Sequence, residues 1–106
     1  MINLFNEENF EAEVLGSSIP VFVDFFADWC GPCKMMSPVI DQLSEEYAGR
    51  VKVGKVDVDE SSELAARYGV MSIPNMVLFK DGVPADRIIG AVPKSQLKAL
   101  FDKYAG

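Results

Sequence analysis

Val21-Phe22-Val23-Asp24-Phe25-Phe26-Ala27-Asp28-Trp29-Cys30-Gly31-Pro32-Cys33-Lys34-Met35-Met36 is the stretch around which the chain organises. Residues 21–27 are a short run of β-branched and aromatic side chains, apolar on both faces, which predicts a central parallel strand. Asp24 alone interrupts it. Downstream, Met36, Val39, Ile40, Leu43 and Tyr47 recur at helical spacing until Gly49, with Pro38 inside the pattern, where it should kink the helix. Two cysteines therefore sit where a strand hands over to a helix.

Before this stretch, Ile2 and Leu4 alternate as a weak strand, and Asn6 can cap a helix carrying Phe10, Val14 and Leu15 that stops at Gly16. After it, Val51 to Val58 reads as a strand. Ser61 or Ser62 opens a short helix through Leu64, Ala65 and Tyr68, closed by Gly69. Met76 to Phe79 is a strand, Asp81-Gly82 a hairpin turn, and Arg87-Ile88-Ile89 the returning partner. Leu97, Leu100, Phe101 and Tyr104 stripe a closing helix. The order β-α-β-α-β-α-β-β-α makes a mixed sheet, because helices supply the long crossovers that parallel strands need and the tight turn makes the last pair antiparallel.

The 106 residues suit one domain, 1–106, large enough to bury a core without covalent staples. Hydrophobic residues at 49% and charged residues at 25% argue against disorder. Sixteen Asp and Glu against ten Lys and Arg leave a formal net charge of −6, which disfavours nucleic acid and anionic membrane as partners. No apolar stretch approaches the roughly 20 residues of a membrane span. The start, Met1-Ile2-Asn3-Leu4-Phe5-Asn6-Glu7-Glu8, lacks the basic and apolar regions of a secretory signal, so a cytoplasmic location is expected.

Cys30-Gly31-Pro32-Cys33 carries the chemistry. Positions i and i+3 at a helix start lie on one side, within disulfide reach. Unpaired backbone N–H groups there favour the anionic form of the first sulfur, and the thiolate is the reactive species. Pro32 fits a first helical position, where its missing N–H costs nothing, and Gly31 permits a tight entry. A purely structural disulfide closing so short a loop would contribute only about 2 kcal/mol. Structural zinc needs four ligands, and the chain has no His and no third Cys. Haem attachment wants His after the second cysteine; position 34 is Lys. Without His, a Cys–His hydrolase fails as well. A redox C-x-x-C is the leading reading, with a metal-carrying module that borrows two carboxylates and a redox-inactive docking subunit as its alternatives.

Trp29-Cys30-Gly31-Pro32-Cys33-Lys34, after the strand bearing Asp24, resembles the thioredoxin family. The likeness extends to Lys55 on the third strand, Ile73-Pro74 before the fourth, Phe79-Lys80-Asp81-Gly82 at the hairpin and Gly90-Ala91 before the last helix. It implies an α/β thioredoxin fold, a central mixed five-stranded sheet flanked by four helices, and a protein disulfide reductase working by thiol–disulfide exchange. By position, Cys30 is then the exposed nucleophile and Cys33, buried beneath, resolves the mixed disulfide. No cofactor is expected in the chain; electrons would come from NADPH through a flavin-containing thioredoxin reductase. Substrates of the ribonucleotide reductase, peroxiredoxin and methionine sulfoxide reductase types are implied, with the protein a monomer.

Asp24 reads as buried among apolar neighbours, although a strand edge or solvent-facing position is the alternative. Burial would raise its pKa and let it take the proton of Cys33; the resemblance agrees and suggests Lys55 as its charge partner, whereas Lys55 alone reads equally as a solvated strand residue. The resemblance also implies a cis Ile73–Pro74 bond beside Cys30. Trp29, Gly31, Pro32, Ile73, Pro74, Gly90, Ala91 and Val92 would form an apolar docking patch around the sulfur, read through shape and backbone contacts. Three positions depart from the family pattern: Phe26 where Trp is common, Asn75 where Thr usually follows the proline, and Pro93 where a capping Ser or Thr is frequent.

Overall fold

The computed structural model describes residues 2–106. Five strands, β1 (Asn3–Phe5), β2 (Val21–Phe26), β3 (Lys52–Asp57), β4 (Asn75–Lys80) and β5 (Val83–Ile89), form one sheet in the order β1-β3-β2-β4-β5. β1, β3 and β2 run parallel; β4 is antiparallel to β2, and β5 to β4. Asp81 and Gly82, at φ 52° and 80°, close the last hairpin with the positive angles that a two-residue turn requires. The helices are α1 (Gly31–Glu46), α2 (Ser62–Arg67) and α3 (Lys94–Tyr104).

The fourth helical segment, expected from Asn6 to Gly16, is wound as a π-helix over Glu11–Leu15, with the Gly16 N–H reaching back to the Glu11 carbonyl at 2.8 Å. Asn6 does open it: its side-chain oxygen accepts from the N–H groups of Glu8 (2.9 Å) and Asn9 (3.0 Å). Phe10 and Val14 are buried as the apolar pattern requires. Pro93 stands at the N-cap of α3 with no side-chain cap, and its carbonyl accepts from the Gln96 N–H instead.

The sheet divides the core in two because side chains alternate across it. Phe22, Met76 and Leu78 meet Met36, Ile40 and Leu43 of α1 and Leu97 and Phe101 of α3 on one side. Val23, Phe25, Val77 and Phe79 meet Phe10, Val14 and Leu64 on the other. Being covered on both faces, β2 is buried from Val21 through Phe25. Each fully buried Phe or Leu contributes roughly 1.5–3 kcal/mol relative to an exposed one. This rigid central strand ends one turn short of Cys30, so the core itself fixes where the cysteines stand.

Candidate active site

Cys30 is the N-cap residue of α1, in extended backbone geometry, with Gly31 and Pro32 opening the helix. Its sulfur accepts the Cys33 N–H at 3.2 Å, one of the donors that a helix start leaves free. Cys30 and Cys33 are joined as a disulfide with their α-carbons 5.3 Å apart. Ala27 packs with both cysteines, and Phe26, Val58 and Ile73 close around them. The expected contrast between an exposed Cys30 and a buried Cys33 is absent in this oxidised pair: each is 4% exposed. Bonded to one another, the two sulfurs screen each other, and the surrounding apolar side chains cover the remainder.

Asp24 lies directly opposite Lys55 across the parallel β2–β3 pairing. It is fully buried, and neither carboxylate oxygen has a hydrogen-bond partner. Burial pushes its pKa up to about 6, against the smaller opposing pull of the Lys55 charge. The Lys55 ammonium does not hydrogen-bond the carboxylate. It donates to Ser37 Oγ at 2.6 Å and lies 5.3 Å from the centre of the Phe26 ring. Ser37 is one helical turn beyond Cys33, on the same face of α1. Cys33, Ser37, Lys55, Asp28 and Lys34 line a common cleft of about 190 Å³.

The segment between α2 and β4 approaches the cysteines from the other side. The Ile73–Pro74 peptide is cis, and the Pro74 carbonyl accepts the Gly90 N–H at 2.8 Å. Trp29 is 70% exposed, its indole N–H held by Asp59 at 2.9 Å. Trp29, Val58, Val70, Met71, Ser72 and Ile73 line an open groove of about 350 Å³ beside the disulfide. Gly31, Pro32 and Ala91 are exposed, whereas Val92 packs into the core layer of α1 and α3.

The family model described as Thioredoxin matches residues 1–103. The chain belongs to the thioredoxin family. Similar proteins include "Thioredoxin 1" of Synechococcus elongatus, 50% identical over 98 residues that make up 92% of each chain. "Thioredoxin" of Synechocystis is 46% identical over 93% of this chain and 92% of its own length. "Thioredoxin M5, chloroplastic" of Oryza sativa subsp. japonica is 50% identical over 93% of this chain, which spans 58% of that protein. With its C-G-P-C pair bonded at the head of α1, this member of the thioredoxin family is a thiol–disulfide oxidoreductase.

Among the described residues, no cluster of three or more His, Cys, Asp or Glu is placed to hold a metal, and no helix is long and apolar enough to cross a membrane. The thioredoxin pattern brought most of the expected residues together, but it left others unnoticed. Ser37 was legible only as the residue four after Cys33. Asp59, in a stretch that reads as a solvated loop, holds Trp29 from 30 positions away. Asn75, next after the proline, is buried, and its side chain bonds Arg87 and the Ser72 carbonyl.

Proposed function

We propose that this chain reduces disulfides in partner proteins, with Cys30 as the attacking thiolate and Cys33 as the resolving thiol. In the reduced protein, free N–H groups at the start of α1 favour the Cys30 anion. That anion attacks one sulfur of the partner disulfide, forming a mixed disulfide and releasing the partner's other sulfur as a thiolate. Cys33 then gives its proton to the Asp24 carboxylate and attacks the Cys30 sulfur. The Cys30–Cys33 bond forms, the mixed disulfide breaks, and the second partner thiolate leaves and is protonated. Two electrons have passed to the partner. Lys55 supports the step by moderating the charge that Asp24 carries.

Trp29, Gly31, Pro32, Ile73, Pro74, Gly90 and Ala91 form the docking surface in this reading, with Val92 at its edge, half-buried against the core. Ile73 and Trp29 supply apolar area beside the sulfurs, and the loop around cis-Pro74 offers backbone to an extended partner segment. The chain binds no cofactor of its own. Its disulfide is reopened by a flavin-containing thioredoxin reductase drawing on NADPH. Ribonucleotide reductase, peroxiredoxin and methionine sulfoxide reductase types are the substrates we assign, with the protein monomeric and cytoplasmic. The rice relative's name makes the chloroplast the alternative compartment, and cell fractionation separates the two.

The observation that carries this reading is the Cys30–Cys33 disulfide at the N-terminus of α1, with the Cys33 N–H directed at the Cys30 sulfur. The test is reduction of insulin by wild type, Cys30→Ser and Cys33→Ser. Wild type turns over, Cys30→Ser is inactive, and Cys33→Ser accumulates covalently trapped insulin. A Cys30→Ser protein that still reduced insulin would overturn the assignment.

A further inference from the structure

We propose that Arg87 is a positioning residue for the docking segment, acting through Asn75 to hold the loop that receives the partner protein; this rests on the function proposed above. Arg87 lies on β5, the edge strand, opposite Val77 of β4. Its guanidinium reaches back toward the site and donates from Nη1 to Asn75 Oδ1 at 2.9 Å and from Nη2 to the Tyr68 carbonyl at 2.5 Å. Asn75 in turn donates from Nδ2 to the Ser72 carbonyl at 3.3 Å.

Those three bonds join the two ends of one segment. Tyr68 is the C-cap of α2, and its carbonyl lies in the last turn, where carbonyls lack helical partners. Asn75 begins β4 immediately after cis-Pro74. Between them run Val70, Met71, Ser72 and Ile73, which line the groove beside Trp29 and have no regular secondary structure of their own. Met71, 95% exposed, and Ser72 are held by little burial, while Val70 and Ile73 at either side of them pack against the core. The guanidinium has no ion pair among the described residues, and both its hydrogen bonds go to the boundaries of this segment.

The chemistry suits a planar, multi-donor cation. Asn75 is 1% exposed, so its side-chain oxygen needs a donor from within the protein. One guanidinium spans that oxygen and the Tyr68 carbonyl at once; a lysine ammonium, a compact point charge on a flexible stem, has no such fixed fork. Asn75 carries the constraint onward to Ser72, two residues from Pro74. The segment is therefore pre-shaped before a partner arrives, which lowers the ordering cost of docking. The sulfurs receive nothing directly from this network, so its removal alters recognition and leaves the intrinsic exchange reaction alone.

The experiment follows single-turnover oxidation of the reduced protein by insulin over a range of insulin concentrations, and by hydroxyethyl disulfide, which is too small to use the groove. Wild type, Arg87→Met and Arg87→Lys are compared. For Arg87→Met the half-saturating insulin concentration rises roughly three- to ten-fold while the limiting rate and the small-disulfide rate stay within about two-fold. Arg87→Lys falls between Arg87→Met and wild type. Amides of residues 69–73 exchange faster with solvent in Arg87→Met. An unchanged insulin dependence in both variants overturns the inference, as does equal slowing toward both oxidants, which marks a general structural defect. A wild type that reacts with neither oxidant overturns the disulfide-reductase reading itself and this inference with it. A reactive wild type with unaltered variants overturns the inference alone.

Discussion

Asp24 and Lys55 face each other across two parallel strands, yet the ammonium bonds Ser37 and the carboxylate bonds nothing. A buried acid with no donor is ordinarily removed by selection for stability, since its charged form costs several kcal/mol that a close ion pair offsets only with good geometry. Here the compensating charge is near enough to lower the acid's pKa somewhat but is hydrogen-bonded elsewhere. Asp24 consequently titrates at about 6, close to where a proton must change hands.

Stability of the oxidised protein should fall as pH rises. The folded-state pKa of about 6 exceeds the ordinary value of 3.8, so the native state holds this proton more tightly than the unfolded chain does. The penalty is absent below the lower value, grows between the two, and is complete above the higher. The difference amounts to about 3 kcal/mol. Denaturant titrations of wild type and Asp24→Asn should therefore diverge by about that amount between pH ~4 and pH ~8, in favour of the variant. Parallel curves across this range would show that Asp24 is not the titrating group.

Resolution of the mixed disulfide should need the Asp24 carboxylate. In Asp24→Asn the release of a pre-formed mixed disulfide slows on the order of ten- to a hundred-fold at neutral pH, while the first attack by Cys30 is little changed. In wild type, that release quickens as pH passes the Asp24 pKa; the variant loses this inflection. Rapid-quench analysis of the Cys30-linked intermediate measures both steps.

Removing the Ser37 hydroxyl should release the Lys55 ammonium toward Asp24. The other charged groups of the shared cleft are Asp28 after β2 and Lys34 on α1, while β4 sets uncharged Met76 opposite Asp24. With Ser37→Ala the closer positive charge lowers the Asp24 pKa further toward the ordinary carboxylate range. Carboxyl NMR titration reads the shift, and the double variant Ser37→Ala/Lys55→Gln abolishes it.

Gly54 is required by the ring of Phe5. A β-carbon at this strand position would lie 2.2 Å from Phe5 Cε2, and Phe5 is itself buried and edge-on to Phe10. Gly54→Ala therefore over-packs the layer between sheet and π-helix and should cost about 1–3 kcal/mol in denaturant unfolding. Gly54→Ala with Phe5→Leu should recover part of the loss, since the smaller side chain opens the space.

Apolar runs, helical stripes and turn residues located the strands and helices in order, although the returning strand was legible only at Arg87-Ile88-Ile89 and in the fold begins at Val83, where Pro84 and Ala85 carry no strand pattern. Strand order is another matter: nothing in the residues of β1 states that it pairs with β3 rather than β2. The π-winding at Glu11–Leu15 was equally hidden, since Phe10 and Val14 satisfy either helical period. At the site, the cysteines and Asp24 were readable from local pattern, and Lys55 and the cis bond came from family likeness. The Ser37–Lys55, Trp29–Asp59 and Arg87–Asn75 bonds span 18, 30 and 12 positions. Contacts of that kind exist only once the chain has folded, and each polar residue alone looks like ordinary surface.

Trp29 is the only tryptophan in the chain, with Phe26 nearby in place of a second. It directly precedes Cys30 in the chain, and its indole N–H is pinned by Asp59. Fluorescence excited at the indole band thus comes from one ring, against no competing tryptophan background, and a neighbouring disulfide quenches such emission by accepting an excited electron. Quenching of that one ring by the disulfide would make its emission an optical gauge of the oxidation state, with exchange timed in solution without attaching a dye.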